Sequence, residues 1–281
     1  MTTQSGRYAQ QAAEAIVDEW HEPMLRVPAV PYGFRPKDLG QAYEVQATVS
    51  RSFGAIGGWR ICRPDTQVSR ACAPLPLASI RPAPTRLGTE LGSHARLQPE
   101  LCFRLQRDLP DYDAPYSREQ VRAAIGSLHP GVVVLHSGAS NHCSLDPLNA
   151  IAHSCDQRYL IYGAEVANWA EIDTRDIMVS VLQNGMRTQS SGESAVAGWL
   201  GGQDLLWGHS PQPAAPSALG GTDDPIELVR WLANEGARWA GGLAVGQWVA
   251  VGLGIEEIRV PADAPARVVF GSLGAISLQF A

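Results

Sequence analysis

The chain has 281 residues, 45% apolar and 18% charged, with a formal net charge of −6 at pH 7. That length gives one large domain, or one domain with a small appendage, and an acidic chain without a basic run gives no footing for a nucleic-acid partner. With no stretch of about 18 uninterrupted apolar residues and no basic amphipathic helix, neither a membrane span nor a membrane partner is expected.

Residues 7–20, RYAQQAAEAIVDEW, place Ala9, Ala12, Ala13, Ile16, Val17 and Trp20 at helical spacing. A proline-rich passage follows, then KDLGQAYEVQATVSRSF, which reads as a second helix. GGWRICRP is a short strand between a glycine pair and a proline. The expectation is a small helical region over residues 1–68. From residue 69 to 281 short apolar or alternating runs recur between turn residues: ELCFRLQ, GVVVLHS, RYLIYGAEVA, DIMVSVLQNG, QWVAVGLG, ARVVFGS and AISLQF. This is strand patterning. One helix interrupts it, DDPIELVRWLANEGARWAGG. Asp224 is its N-cap, Pro225 takes the first helical position, and Glu227 stands three after the cap. Ile226, Val229, Leu232, Ala233 and Trp239 make its buried stripe, and Gly241 and Gly242 end it. Residues 198–222 form a Gly/Pro/Ser-rich loop carrying Trp199 and Trp207.

The five cysteines are Cys62, Cys72, Cys102, Cys143 and Cys155. None shows C-x-x-C spacing and their number is odd, so reduced thiols are expected. MTTQSGRYAQQ lacks the basic and apolar regions of a secretory signal, and a cytoplasmic location is expected.

The order of these segments resembles the fumarylacetoacetate hydrolase superfamily, and within it the branch of 2-hydroxypenta-2,4-dienoate hydratases and 4-oxalocrotonate decarboxylases. AYEVQ is similar to the branch's A-Y-x-x-Q helix and GGWRIC to its G-x-K-x-G strand. QPELCFRLQRDLP is similar to E-P-E-I-A-F-x-L-x-R-D-L-P, and DDPIELVRWLAN to P-L-x-A-x-x-W-L-A-N. GGLAVGQWVAVG and VVFGSLGAISLQF match its last two segments. The resemblance spans nearly the whole chain and implies an α+β fold, a mixed β-roll with a small helical N-terminal region. It also implies a homo-oligomer acting on a small molecule.

The resemblance further implies Mg²⁺ or Mn²⁺ held by three carboxylates, and here the set is incomplete. Gln98 stands for the first, Glu100 keeps the second, and Val133 stands for the third. A hard divalent cation wants several oxygen ligands, carboxylates among them, so no tightly bound metal is expected. The family lysine becomes Arg60, and His153 and Ser154 take an Asp-Asn pair.

Without a metal, charge on an enolate must be met by hydrogen-bond donors or cations. Arg60 is the candidate to hold a carboxylate or enolate. Arg104 and Gln98 share a strand face with Glu100 by period-two alternation and are candidate substrate contacts. Glu100, His153 and His136 are candidate acids and bases. His142 and a Cys155–His153 nucleophile are weaker alternatives. Trp207 in the loop is a candidate cover over the substrate. The leading expectation is a lyase or isomerase working through an enolate on a small unsaturated 2-oxo or enol acid, or a cyclic relative, without a metal. The alternatives are a carbon–carbon bond hydrolase of a 1,3-diketone and a non-catalytic homologue that binds a ligand or partner.

Overall fold

A computed structural model describes residues 4–21, 35–62, 70–88, 91, 94–135, 146–172, 177–184, 186–190, 224–253 and 257–281. The chain starts with two packed helices, α1 (Gln4–His21) and α2 (Leu39–Ser52). Ala9, Ala12, Ala13 and Ile16 bury against Val45 and Val49, with Ala152 closing the cluster. Asp38 caps α2, its carboxylate accepting from the Gln41 amide at 2.8 Å, which satisfies one of the orphan N–H groups of the first turn.

The remaining elements follow in order: β1 (Ile56–Cys62), β2 (Ala71–Pro76), β3 (Ile80–Pro82), β4 (Thr85–Leu87), β5 (His94–Leu105), β6 (Leu109–Pro110), α3 (Arg118–Ala124), β7 (Ile125–Leu135), α4 (Pro147–Ala152), β8 (Gln157–Tyr162), β9 (Ser180–Gln183), β10 (Met186–Ser190), α5 (Pro225–Trp231), β11 (Gly242–Leu243), β12 (Trp248–Gly252), β13 (Ile258–Pro261), β14 (Ala266–Val269) and β15 (Ala275–Phe280). The main sheet runs β2-β1-β12-β5-β7-β8-β3, with β13 also on β5; a second runs β10-β9-β14-β15-β4. Both are mixed: β1–β12, β3–β8 and β15–β4 are parallel pairs, the others antiparallel. This is the expected α+β roll.

Strand β5 organises the two faces of the main sheet. Its odd-numbered residues Leu97, Leu101, Phe103 and Leu105 enter the main core, with Val132, Val134, Val249 and Val251 from the neighbouring strands. Val181, Val268, Ile276 and Leu278 of the second sheet and Ile226, Val229 and Leu232 meet them there. Its even-numbered residues face the other way, as the two-residue period of a strand requires. Cys102 lies on that second face with Leu75, Val133, Leu160, Trp248 and Ala250.

Helix α2 is fastened to the sheet through one residue of β2. The Tyr43 hydroxyl accepts from the Cys72 amide at 3.3 Å, and Gln46 Nε2 donates to the Cys72 carbonyl at 3.0 Å and to the Ile151 carbonyl of α4 at 2.7 Å.

Some expectations meet a different arrangement. β1 lies within the main sheet, between β2 and β12, so a boundary at 68 falls between two paired strands. Asp224 caps α5 as expected, accepting from the Ile226 amide at 2.9 Å. Glu227 does not reach back to that cap; its carboxylate accepts from Arg230 Nε at 2.7 Å. The helix then widens into a π turn over Leu232–Gly236, which rotates Trp239 out of the stripe. Trp239 is 40% exposed and sits edge-on to Trp59 at 5.5 Å.

Candidate functional site

Glu100 sits on the second face of the main sheet between two glycines, opposite Gly131 of β7 and Gly252 of β12. Neither neighbour carries a side chain to cover the carboxyl. At Gly131 a Cβ would run into Cys102 Sγ, so any side chain there would have to displace that thiol. Arg60 lies two strands away on β1, opposite Ala250 of β12 and Ala73 of β2. Two strand spacings are about 10 Å, a distance that arginine and glutamate side chains span only when the strand between them presents small residues. Ala250 and Gly252 are such residues.

The two side chains meet out of water. Arg60 is 3% exposed and Glu100 is fully buried. Arg60 Nε donates to Glu100 Oε1 at 2.6 Å, Nη2 to Gln98 Oε1 at 2.5 Å, and Nη1 to the Cys155 carbonyl at 3.2 Å. Glu100 Oε2 has no hydrogen-bond partner among the described residues. Burial drives the Glu100 carboxyl above the ordinary carboxylate range, and the charge and hydrogen bond of Arg60 oppose it without cancelling it. The same burial, followed by the charge of Glu100, raises the thiol of Cys102 well above its ordinary range.

The Cys155 carbonyl is presented by an unusual turn. Ser154, Cys155 and Asp156 have φ of 53°, 55° and 55°, three consecutive non-glycine residues in the left-handed region, where each costs about 1–2 kcal/mol. His153 caps α4 just before it, and the turn leads into β8. His153 and Cys155, the alternative nucleophile pair, stand at a helix end and in this turn respectively. The expectation of reduced thiols is also corrected, because Cys62 and Cys155 form a disulfide. It joins the last residue of β1, two after Arg60, to the turn that holds Arg60 Nη1. Cys72 and Cys102 are free and buried.

Of the residues singled out from sequence, Arg60, Glu100 and Gln98 come together in direct hydrogen bonds. His153 is buried at the edge of the same region, before the turn whose carbonyl Arg60 binds. Arg104 does not join them. It is exposed, four residues along β5, and its guanidinium lies 5.5 Å from the Trp248 ring. His136, His142 and Trp207 lie outside the described residues.

Sequence reasoning passed over two further groups. His129, opposite Cys102 on the same face, bonds Ser127 Oγ and the Gly163 carbonyl, each at 2.9 Å. It stands edge-on to Trp248, which stacks on Tyr162 at 4.2 Å. Gln46, Asn149 and Gln157 are buried polar residues between the helices and the sheet, each with an amide oxygen lacking a partner among the described residues. For His129 the available signal was its even register with Ser127 and Gly131 in β7.

The positions to which the resemblance assigns metal carboxylates are now fixed in space. Gln98 and Val133 are cross-strand partners, and Glu100 follows on the same face. They offer an amide, a carboxyl and an alkyl group, and a guanidinium already lies on the first two. Among the described residues, no three His, Cys, Asp or Glu side chains gather as a metal-holding group. These residues do not fit a divalent cation.

No family model matches this sequence, and no curated protein matches it. Solved structures do. The 4-oxalocrotonate decarboxylase from Pseudomonas putida G7, complexed with magnesium and adipate, aligns over 100% of this chain and 99% of that chain with a TM-score of 0.74 at 19% identity. Its complex with calcium and acetate gives a TM-score of 0.74 at 18% identity over the same shares. The structure described as Cg1458 aligns over 79% of this chain and 74% of that chain, with a TM-score of 0.52 at 11% identity. At these identities the likeness is one of fold.

Proposed function

We propose, from the premise that this chain has the fold of the fumarylacetoacetate hydrolase superfamily, that it is a lyase or isomerase acting through an enolate on a small unsaturated 2-oxo or enol acid. The observation that carries the proposal is the buried Arg60–Glu100 pair, in which Glu100 Oε2 has no hydrogen-bond partner among the described residues. A guanidinium has five N–H donors. Among the described residues three are engaged, by Glu100, Gln98 and the Cys155 carbonyl, and the second N–H on each Nη would meet an incoming anion. Those two donors would hold the carboxylate or the enolate oxygen of a 2-oxo acid, stabilising charge as it develops in a site of low dielectric. Glu100, its proton affinity raised by burial, would take a proton from the carbon next to the carbonyl and return it to carbon or oxygen. His153 is a second candidate for proton transfer at the edge of this region.

Enolisation is common to hydration, decarboxylation and tautomerisation, so it is the step to test first. The protein is incubated in D₂O with a panel of 2-oxo-4-enoic and 2-hydroxy-2,4-dienoic acids, and exchange at C3 is followed by NMR. Exchange should occur with at least one panel member and fall at least 100-fold in Glu100→Gln and in Arg60→Met. Exchange at the wild-type rate in both variants would reject the site, and no exchange across the panel would reject the enolate reading in favour of a ligand-binding role.

A further inference from the structure

We infer that the guanidinium of Arg60 is the resident cation of this site, built into the chain where the resemblance places a divalent metal ion. The inference concerns occupancy of an oxygen cage and stands independently of the enolate reading. The cage consists of Glu100 Oε1, Gln98 Oε1 and the Cys155 carbonyl, each bonded to a different nitrogen of Arg60, at 2.6, 2.5 and 3.2 Å respectively. A single ion requires its ligands to converge on one point at 2.0–2.6 Å. These three oxygens are spread around the planar fork of an arginine, which matches an array of separate acceptors.

Charge supports the same assignment. One carboxyl group faces one guanidinium in a fully buried setting. Adding a divalent ion would leave excess positive charge out of water, and expelling Arg60 to make room would leave the guanidinium without its partners. The cage is also braced from several directions. Gln98 and Glu100 share one strand face, Gly131 and Gly252 flank the carboxyl, and the Cys62–Cys155 disulfide ties the carbonyl-bearing turn to the strand of Arg60. The residue in the family's lysine position therefore holds the oxygens that a metal would need.

The test is made on the full chain without substrate, so its outcome is separate from that of the exchange experiment. Arg60→Ala opens a cavity bounded by the same oxygens. Guanidinium chloride at about 10 mM should raise its melting temperature by about 2–4 °C over equimolar sodium chloride. The wild type should gain nothing under the same addition, and urea should not substitute. Titration with Mn²⁺, followed by electron paramagnetic resonance, should show no stoichiometric uptake by the wild type. A folded Arg60→Ala that gains nothing from guanidinium overturns the inference. So does one equivalent of Mn²⁺ bound by the wild type and lost in Glu100→Gln. If Arg60→Ala does not fold, the Mn²⁺ titration decides alone.

Discussion

The buried pair should respond unequally to loss of its two members. Glu100 is fully buried and Arg60 3% exposed, and for Glu100 burial outweighs the attraction of Arg60, so its carboxyl lies above the ordinary value of 4.5. A group whose folded pKa is raised contributes stability that is fully present below its unfolded value and is lost as pH rises through the folded value. The folded chain therefore binds this proton more tightly than the unfolded chain, so stability declines as pH rises above 4.5. Glu100→Gln, which has no carboxyl to titrate, should lose that part of the decline and show a flatter dependence on pH than the wild type. Arg60→Met leaves the carboxyl buried without its cation. Two unit charges 4 Å apart at an effective dielectric constant of 20 attract by about 4 kcal/mol. Arg60→Met should therefore lose about 4 kcal/mol at high pH, and much less below pH 4.5, where Glu100 is protonated in folded and unfolded chains alike. Urea unfolding of both variants and the wild type from pH 4 to 9, followed by tryptophan fluorescence, measures this. If the wild type instead gains stability relative to Glu100→Gln as pH rises above 4.5, the attraction of Arg60 outweighs burial and the reasoning fails.

Gly131→Ala should destabilise by about 1–3 kcal/mol, the usual cost of overpacking, because its Cβ meets Cys102 Sγ; adding Cys102→Ala should recover most of the loss in urea midpoint. Gln46→Ala should cost about 1–3 kcal/mol by stranding the Cys72 and Ile151 carbonyls, with faster amide exchange in α4 as the local readout. Reduction should destabilise the wild type by up to about 4.5 kcal/mol on the chain-entropy model for cysteines 93 residues apart. Cys62→Ser should start lower and be insensitive to reductant, and an equal response of the two proteins would show that the bridge does not form.

What the sequence made legible was what depends on neighbours along the chain. Gln98 and Glu100 are two apart, so period two alone puts them on one strand face. Asp224 and Pro225 announce α5 by local capping chemistry, and the alanines of α1 announce its buried face. The pairing of Arg60 with Glu100 depends on β12 lying between their strands with Ala250 and Gly252 on the same face, a fact of sheet order invisible to spacing. The disulfide was missed for a related reason: its cysteines are far apart in sequence and neither belongs to a C-x-x-C. Helices α3 and α4 are 7 and 6 residues long, too short for a periodic pattern to emerge. The π turn after α5 moved Trp239 outward although its spacing matched the buried stripe.

The left-handed turn at Ser154–Asp156 left no mark in the sequence because it lacks the glycine or asparagine that such backbone favours. At about 1–2 kcal/mol per residue it carries about 3–6 kcal/mol of strain, and it persists because its surroundings over-determine it. The His153 amide donates to Asn149 and the Asp156 amide to the His153 carbonyl. Cys155 is held twice, by its disulfide to Cys62 and by Arg60 Nη1 on its carbonyl. Both restraints come from β1, so the strain is borne where the chain brings a neutral carbonyl to a buried guanidinium. With one carboxyl on it among the described residues, Arg60 is completed by neutral acceptors, and Gln98 and the Cys155 carbonyl supply them. The strained turn, the Gln98 amide and the Arg60 guanidinium are thus parts of a single arrangement by which this face of the sheet holds a positive charge.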